Sequence, residues 1–164
     1  RRKRMGFDPS KMDVIDRRRI EAMVLGPMLR AFQVEFGVEK TNEIATGVIT
    51  KLAREQGSEF AKGIGANGLE DYAANKDAWR RHGALEIDIV ESDSKRYSFD
   101  VTRCKYAEMY NDLGFGDLGA IFSCTRDFEF VAGFNPELNL KRSQTIMQGA
   151  THCDFRYSAK PESE

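Results

Sequence analysis

The sequence predicts an α+β domain: two long N-terminal helices packed on an antiparallel sheet of two hairpins, with short helices intervening. Three observations predict it. Apolar residues recur about every fourth position through the first third of the chain, the spacing of a helix face. After His82-Gly83 the period drops to two, as in a strand with one wet face. The order is then helices, hairpin, helices, hairpin, which separates strands from helices instead of interleaving them singly.

Taken in order, residues 1–12, "RRKRMGFDPSKM", are polar and basic with Gly6 and Pro9, and read as a flexible lead-in. A helix is expected from Asp13, with Ile20, Val24, Met28 and Phe32 as its stripe and Met23 and Ala31 beside it. Pro27 should bend it and Gly37 stop it. A second helix is expected near Thr41, whose hydroxyl suits a cap, with Ile44, Val48, Leu52 and Phe60 on one face. The two should lie antiparallel. "GIGANG", residues 63–68, lacks the preceding buried strand and the Lys-Ser/Thr of a phosphate loop, so it reads as a connector. Residues 70–81 form a short third helix holding Trp79.

"ALEIDIV" alternates Leu85, Ile87 and Ile89 against Glu86 and Asp88, and "YSFDV" alternates through Tyr97, Phe99 and Val101, which makes a hairpin. "CKYAEMYNDLG" is a helix stopped at Gly114, and Asp117 suits the cap of another, along which Leu118, Ile121, Thr125 and Phe128 share a face. "FNPELNLKRSQTIM" returns to strand, and "CDFRY" follows across a turn at Gly149. Residues 13–158 are thus expected to form one domain, with 159–164 as a tail.

Composition narrows the function. With 25 basic against 26 acidic side chains the net charge is −1, which gives no field built for nucleic acid or an anionic membrane. The basic run Arg1-Arg2-Lys3-Arg4 reads as a solvated end. No apolar run approaches membrane-span length. The chain begins with Arg rather than Met, leaving open whether residues precede it. Three cysteines, with no CxxC pair, argue against a secreted disulfide scaffold and for a reducing, cytoplasmic address.

Chemistry could gather where those cysteines fall. Cys104 follows the second strand, Cys124 lies within a helix and Cys153 opens the last strand, so two or three thiols could converge at element ends. Each could equally be a small buried hydrophobe. Alternation along "HCDFRY" places Cys153, Phe155 and Tyr157 on one side and His152, Asp154 and Arg156 on the other. His152 is therefore not simply the base of Cys153. Asp127, three residues after Cys124, could bring a carboxylate to the same pocket.

"VTRCKYAEMYNDLG", "SCTRDFEFVAGFNPELNLKRSQTIMQGATHCDFRY" and "RRRIEAMVLGPMLRAFQVEFG" resemble the L-2-amino-thiazoline-4-carboxylic acid hydrolase family, over roughly residues 13–157. The resemblance implies a hydrolase that opens a small, carboxylated five-membered heterocycle at a C–N or C–S bond. Its recurrent residues fall here on Cys104, Cys124, Asp127, Gly149, Cys153, Asp154, Phe155 and Arg156. It implies Cys153 and Cys124 as a thiol pair with Cys104 nearby, and Asp127 as proton carrier or orienter. Arg156 or Arg142 would grip the substrate carboxylate, His152 would lie close by, and Phe99, Phe128 and Phe155 would line the pocket.

The attack could come from a thiolate or from metal-activated water. The helix pair, hairpin and terminal turn are also similar to vinyl-reductase-type ligand-binding domains. Some of those hold zinc through Glu-x-x-Cys and a Cys eight residues on, where this chain has Arg142, Thr145 and Cys153. A zinc ion on Cys104, Cys124, Cys153 and His152 is the remaining metal alternative, and no cofactor is required. The expected partner is a small carboxylate, with homo-oligomerisation open. The competing functional class is a non-catalytic ligand-binding or sensor domain on the same scaffold. A pure interaction domain would instead leave the Ile20–Phe32 face exposed and have no pocket.

Overall fold

The computed structural model describes residues 11–159. The basic run and most of the predicted lead-in and tail lie outside them. Two long helices come first, α1 (Val14–Phe36) and α2 (Val38–Ile64), joined by the single residue Gly37. At φ 87° Gly37 holds the left-handed backbone that lets the chain reverse at once. The helices form an antiparallel hairpin: Gln33 bonds to Asn42 near the turn, while Arg126 reaches both Glu21 and Gln56 further along. Helix α1 is continuous across Pro27.

The face these helices bury differs from the expected one. Ile20, Val24, Met28 and Phe32 are between 43% and 59% exposed, and Ile44, Val48 and Leu52 also face outward. Buried instead are Arg18, Ala22 and Gly26 on α1, and Thr41, Ala45, Ile49, Ala53 and Gly57 on α2. The physical reason is closeness. Having only a hydrogen as side chain at Gly57 and Gly133 lets the backbones of α2 and α6 (Arg126–Phe134) touch, since a Cβ at either would overlap the other helix's carbonyl. Thr41 does not cap α2, because the helix already starts at Val38.

Helix α3 (Leu69–Ala74) is followed by a tight helical turn, Lys76–Trp79, so the predicted third helix is broken in two. Strands β1 (Leu85–Ser92) and β2 (Arg96–Cys104) form the expected hairpin. Next come α4 (Lys105–Asp112) and α5 (Gly116–Gly119). Asp117 lies inside α5 and pairs with Arg30 of α1 instead of capping. Strand β3 is only Leu138–Lys141, shorter than expected, because the chain then turns through Ile146–Gln148. Strand β4, Cys153–Ala159, takes in the first residue of the predicted tail.

The sheet is antiparallel in the order β1-β2-β4-β3. Val101 stands opposite Cys153 and Phe99 opposite Phe155, whose rings stack at 5.0 Å. With Tyr97, Tyr157, Leu138 and Leu140 they form one core against α3 and α6. A second core joins α1 and α2 to Met109, Tyr110, Leu118 and Phe122. Leu85 and Cys104 touch both. Among the described residues no helix is long and apolar enough to cross a membrane.

Candidate functional site

A cavity of about 620 Å³ runs between the sheet and the helices that cover it, a size that holds drug-sized ligands. Cys104, Cys124 and Cys153 all line it, as do Asp127, Arg142 and Phe155. Three different devices bring the thiols there. Cys104 ends β2 where the chain turns into α4. Cys153 opens β4, and alternation points it inward with Phe155 and Tyr157. Cys124 closes a π-helical turn, Ala120–Cys124, in which the Thr125 amide bonds five residues back to Ala120. Such turns shift the side chains that follow off the ordinary helical face and recur at functional sites.

The Cys124 carbonyl accepts a bond from Arg142 at 2.9 Å. The same guanidinium binds the Asp127 carboxylate at 2.5 Å and lies between the Phe128 and Phe155 rings. Arg142 is thus held by a carboxylate, a carbonyl and two aromatic faces.

Removal from water governs the acidities. Burial pushes Cys124 up to about 12, with the Asp127 charge adding to it and Arg142 opposing. It pushes Cys104 up to about 11, although the first amides of α4 pull the other way. Cys153 is raised by burial too, but its sulfur accepts the Ile146 amide at 3.2 Å and feels Arg142. Asp127 is likewise pushed above the ordinary carboxylate value by burial, against the pull of Arg142. The resting site therefore holds neutral thiols beside a carboxylate of enhanced basicity.

Several expected site residues lie elsewhere. Arg156 is on the opposite face of the sheet, where it binds Asp100 and the Phe99 carbonyl. His152 packs with Gln144 and Thr151. Phe128 stacks behind Arg142 and Phe99 belongs to the core, so Phe155 alone of the three predicted rings reaches the wall. Asp154 accepts the Ser143 and Gln144 amides and fixes the loop before the final turn. Gly149 is needed for its φ of 93° and not for a close approach.

Among the described residues no three His, Cys, Asp or Glu side chains are grouped to hold an ion, and His152 is turned away from the thiols.

Sequence reasoning missed most of the positive wall. Arg17 and Arg18 of α1, Lys76 and Arg126 all line the cavity. Arg126 is buried and bonds to the Phe122 carbonyl and Gln56, and desolvation brings it down to about 10. The signal was present in the small residues Ala22 and Gly26, which mark the true inner face of α1 one turn after Arg18.

A family model for L-2-amino-thiazoline-4-carboxylic acid hydrolase matches residues 17–157. The chain belongs to that family. No curated protein matches it. Among solved structures it is similar to a trafficking protein particle complex subunit 3 from Naegleria fowleri, covalently bound to palmitic acid. That likeness has a TM-score of 0.53 at 13% identity over 89% of this chain and 96% of the other. It is also similar to the phenol-responsive sensory domain of the transcription activator PoxR with phenol. There the TM-score is 0.53 at 9% identity, over 82% of this chain and 72% of that one. At such identities the likeness is one of fold. The family match and the fold agree with the resemblance read from the sequence.

Proposed function

We propose that the cavity hydrolyses a carboxylated five-membered heterocycle of the 2-aminothiazoline-4-carboxylate type, by a cysteine thiol working with Asp127. The observation that carries this reading is the meeting of three remote thiols with the Asp127–Arg142 pair on one largely apolar wall. Neutral thiols need a base, and a desolvated carboxylate is a stronger one than its counterpart in water. Cys153 is the best placed nucleophile of the three, because its sulfur both accepts the Ile146 amide and feels the Arg142 charge, each of which stabilises a thiolate there.

Asp127 takes the thiol proton as sulfur bonds to the ring's amidine carbon, and the C=N electron pair moves onto nitrogen. A nitrogen lone pair then re-forms a C=N bond as the ring C–S or C–N bond breaks, and the leaving atom takes the proton back from Asp127. Water then displaces the enzyme thiol. The net change is one water added and one ring bond broken. No step passes through a metal.

The test is incubation of the purified chain with aminothiazoline, hydantoin and related ring carboxylates, followed by mass spectrometry. An acyclic product heavier by one water is expected, with Cys153→Ser at least about 100-fold slower. Full activity in that variant would remove the thiol mechanism.

The second reading is a ligand sensor. It is favoured by the neutral state of the thiols and by the two proteins of this fold described with apolar ligands, phenol and palmitic acid. It predicts saturable binding of the same acids with no product.

A further inference from the structure

We infer that the ligand carboxylate is bound by Arg17, at the α1 end of the cavity, and that the ligand carries an apolar arm beyond its ring. The inference rests on the proposed substrate class for the ring alone; the anion site stands on the following geometry.

Five cationic side chains line the cavity, Arg17, Arg18, Lys76, Arg126 and Arg142, against the acids Glu59 and Asp127. Four of the five have their donors engaged. Arg142 is spent on Asp127 and the Cys124 carbonyl. Arg18 grips both oxygens of Glu21. Arg126 bonds to the Phe122 carbonyl and Gln56 and lies 3.6 Å from Glu21. Lys76 donates to the Tyr72 hydroxyl and sits over the Tyr72, Trp79 and Tyr157 rings. Arg17 is different. Its Nε is buried with no hydrogen-bond partner, and among the described residues no carboxylate pairs with it.

A buried guanidinium donor without an acceptor is costly, and an incoming carboxylate relieves that cost with a planar match. The same cavity is far larger than one small ring acid, and much of its wall is carbon from Phe60, Ile64, Trp79 and Phe130. Edge-to-face contacts of Phe60 and Phe130 on Trp79 make that region rigid and suited to an aryl or alkyl group.

Calorimetric titration with 2-phenylthiazoline-4-carboxylate, its carboxamide and 2-aminothiazoline-4-carboxylate tests this. Wild type should bind the phenyl acid at least about tenfold tighter than either of the others. Arg17→Gln should bind acid and carboxamide equally, and Arg17→Lys should keep part of the preference, with circular dichroism verifying the fold of each. An Arg17→Gln protein that retains the full preference overturns the assignment, as does a wild type that binds none of the three. Arg17-dependent binding without turnover would refute the hydrolase reading while leaving the anion site intact.

A second, independent observation concerns the outside of the α1–α2 hairpin. Ile20, Val24, Met28, Phe32, Ile44 and Val48 are exposed there, and a carbon-lined groove of about 350 Å³ between the two helices joins the two stripes. Each of these six side chains is between 43% and 59% exposed, which together is on the order of 600 Å² and so of the same order as the roughly 800 Å² each partner buries in a standard stable dimer. A monomer rarely leaves so much uncovered. The geometry points to a second copy of this chain as the occupant, the two hairpins meeting about a two-fold axis so that each face covers its equivalent. Sedimentation velocity at tens of micromolar should show a dimer for wild type and a monomer for Val24→Glu/Val48→Glu, with unchanged circular dichroism. A monomeric wild type, alone or bound to phosphatidylcholine vesicles, would overturn the proposal.

Discussion

At the scale of single residues, the Asp127–Arg142 pair decides how the site works. Arg142 is 6% exposed and Asp127 30%, so removing one partner strands a charge in a region of little water. Asp127→Asn should cost about 3 kcal/mol of stability by urea denaturation, and Asp127→Asn/Arg142→Met should recover most of it. Burial raises Asp127 above the ordinary 3.8, so the native chain keeps a proton there that the unfolded chain has already released. This group's contribution to stability therefore falls as pH rises from the ordinary value through the raised one. The proposed catalysis has the opposite slope, because Asp127 as base must be ionised. The acid limb of kcat/KM should lie above the ordinary carboxylate range, and Asp127→Asn should lower kcat/KM by about 100-fold. A limb at the ordinary carboxylate value would assign the base to another group.

At the scale of elements, the crossing of α2 and α6 is set by two glycines. Gly133→Ala should destabilise by about 2–3 kcal/mol, since its new methyl meets the Arg54 backbone, which cannot move aside like a side chain. Gly47→Ala, on the same α2 but in open space, should stabilise by about 1 kcal/mol through helix propensity. Thermal denaturation of the two variants should give shifts of opposite sign. A close approach on α1, where Gly26 meets the Phe115 ring, explains where periodicity misled. Ile20, Val24, Met28 and Phe32 do form a stripe, but large residues cannot sit where Ala22 and Gly26 must nestle, so the stripe faces out. In β4 the period of two placed Cys153 inward and Arg156 outward correctly, because a strand has only two faces. The π-helical turn at Cys124 left no mark in the spacing, since it depends on one displaced hydrogen bond.

At the scale of the molecule, sheet and helices are held apart around a cavity instead of closing into one core. Among the described residues Leu85 and Cys104 touch both the aromatic face of the sheet and the helical core, and both line the cavity. The antiparallel sheet, the helix pair and the gathering of thiols were legible in the sequence because each follows from local pattern or family motif. The cationic wall was not, because Arg17, Lys76 and Arg126 arrive from separate elements and no spacing joins them. The measurement that bears most directly on a shared reaction cavity is iodoacetamide labelling of Cys104, Cys124 and Cys153, followed by peptide mass spectrometry, with and without 2-phenylthiazoline-4-carboxylate. All three should label slowly near neutral pH, faster as pH rises, and together be protected by the acid. Fast labelling at neutral pH, or protection of one cysteine while the others react unchanged, would contradict a single cavity holding three buried thiols.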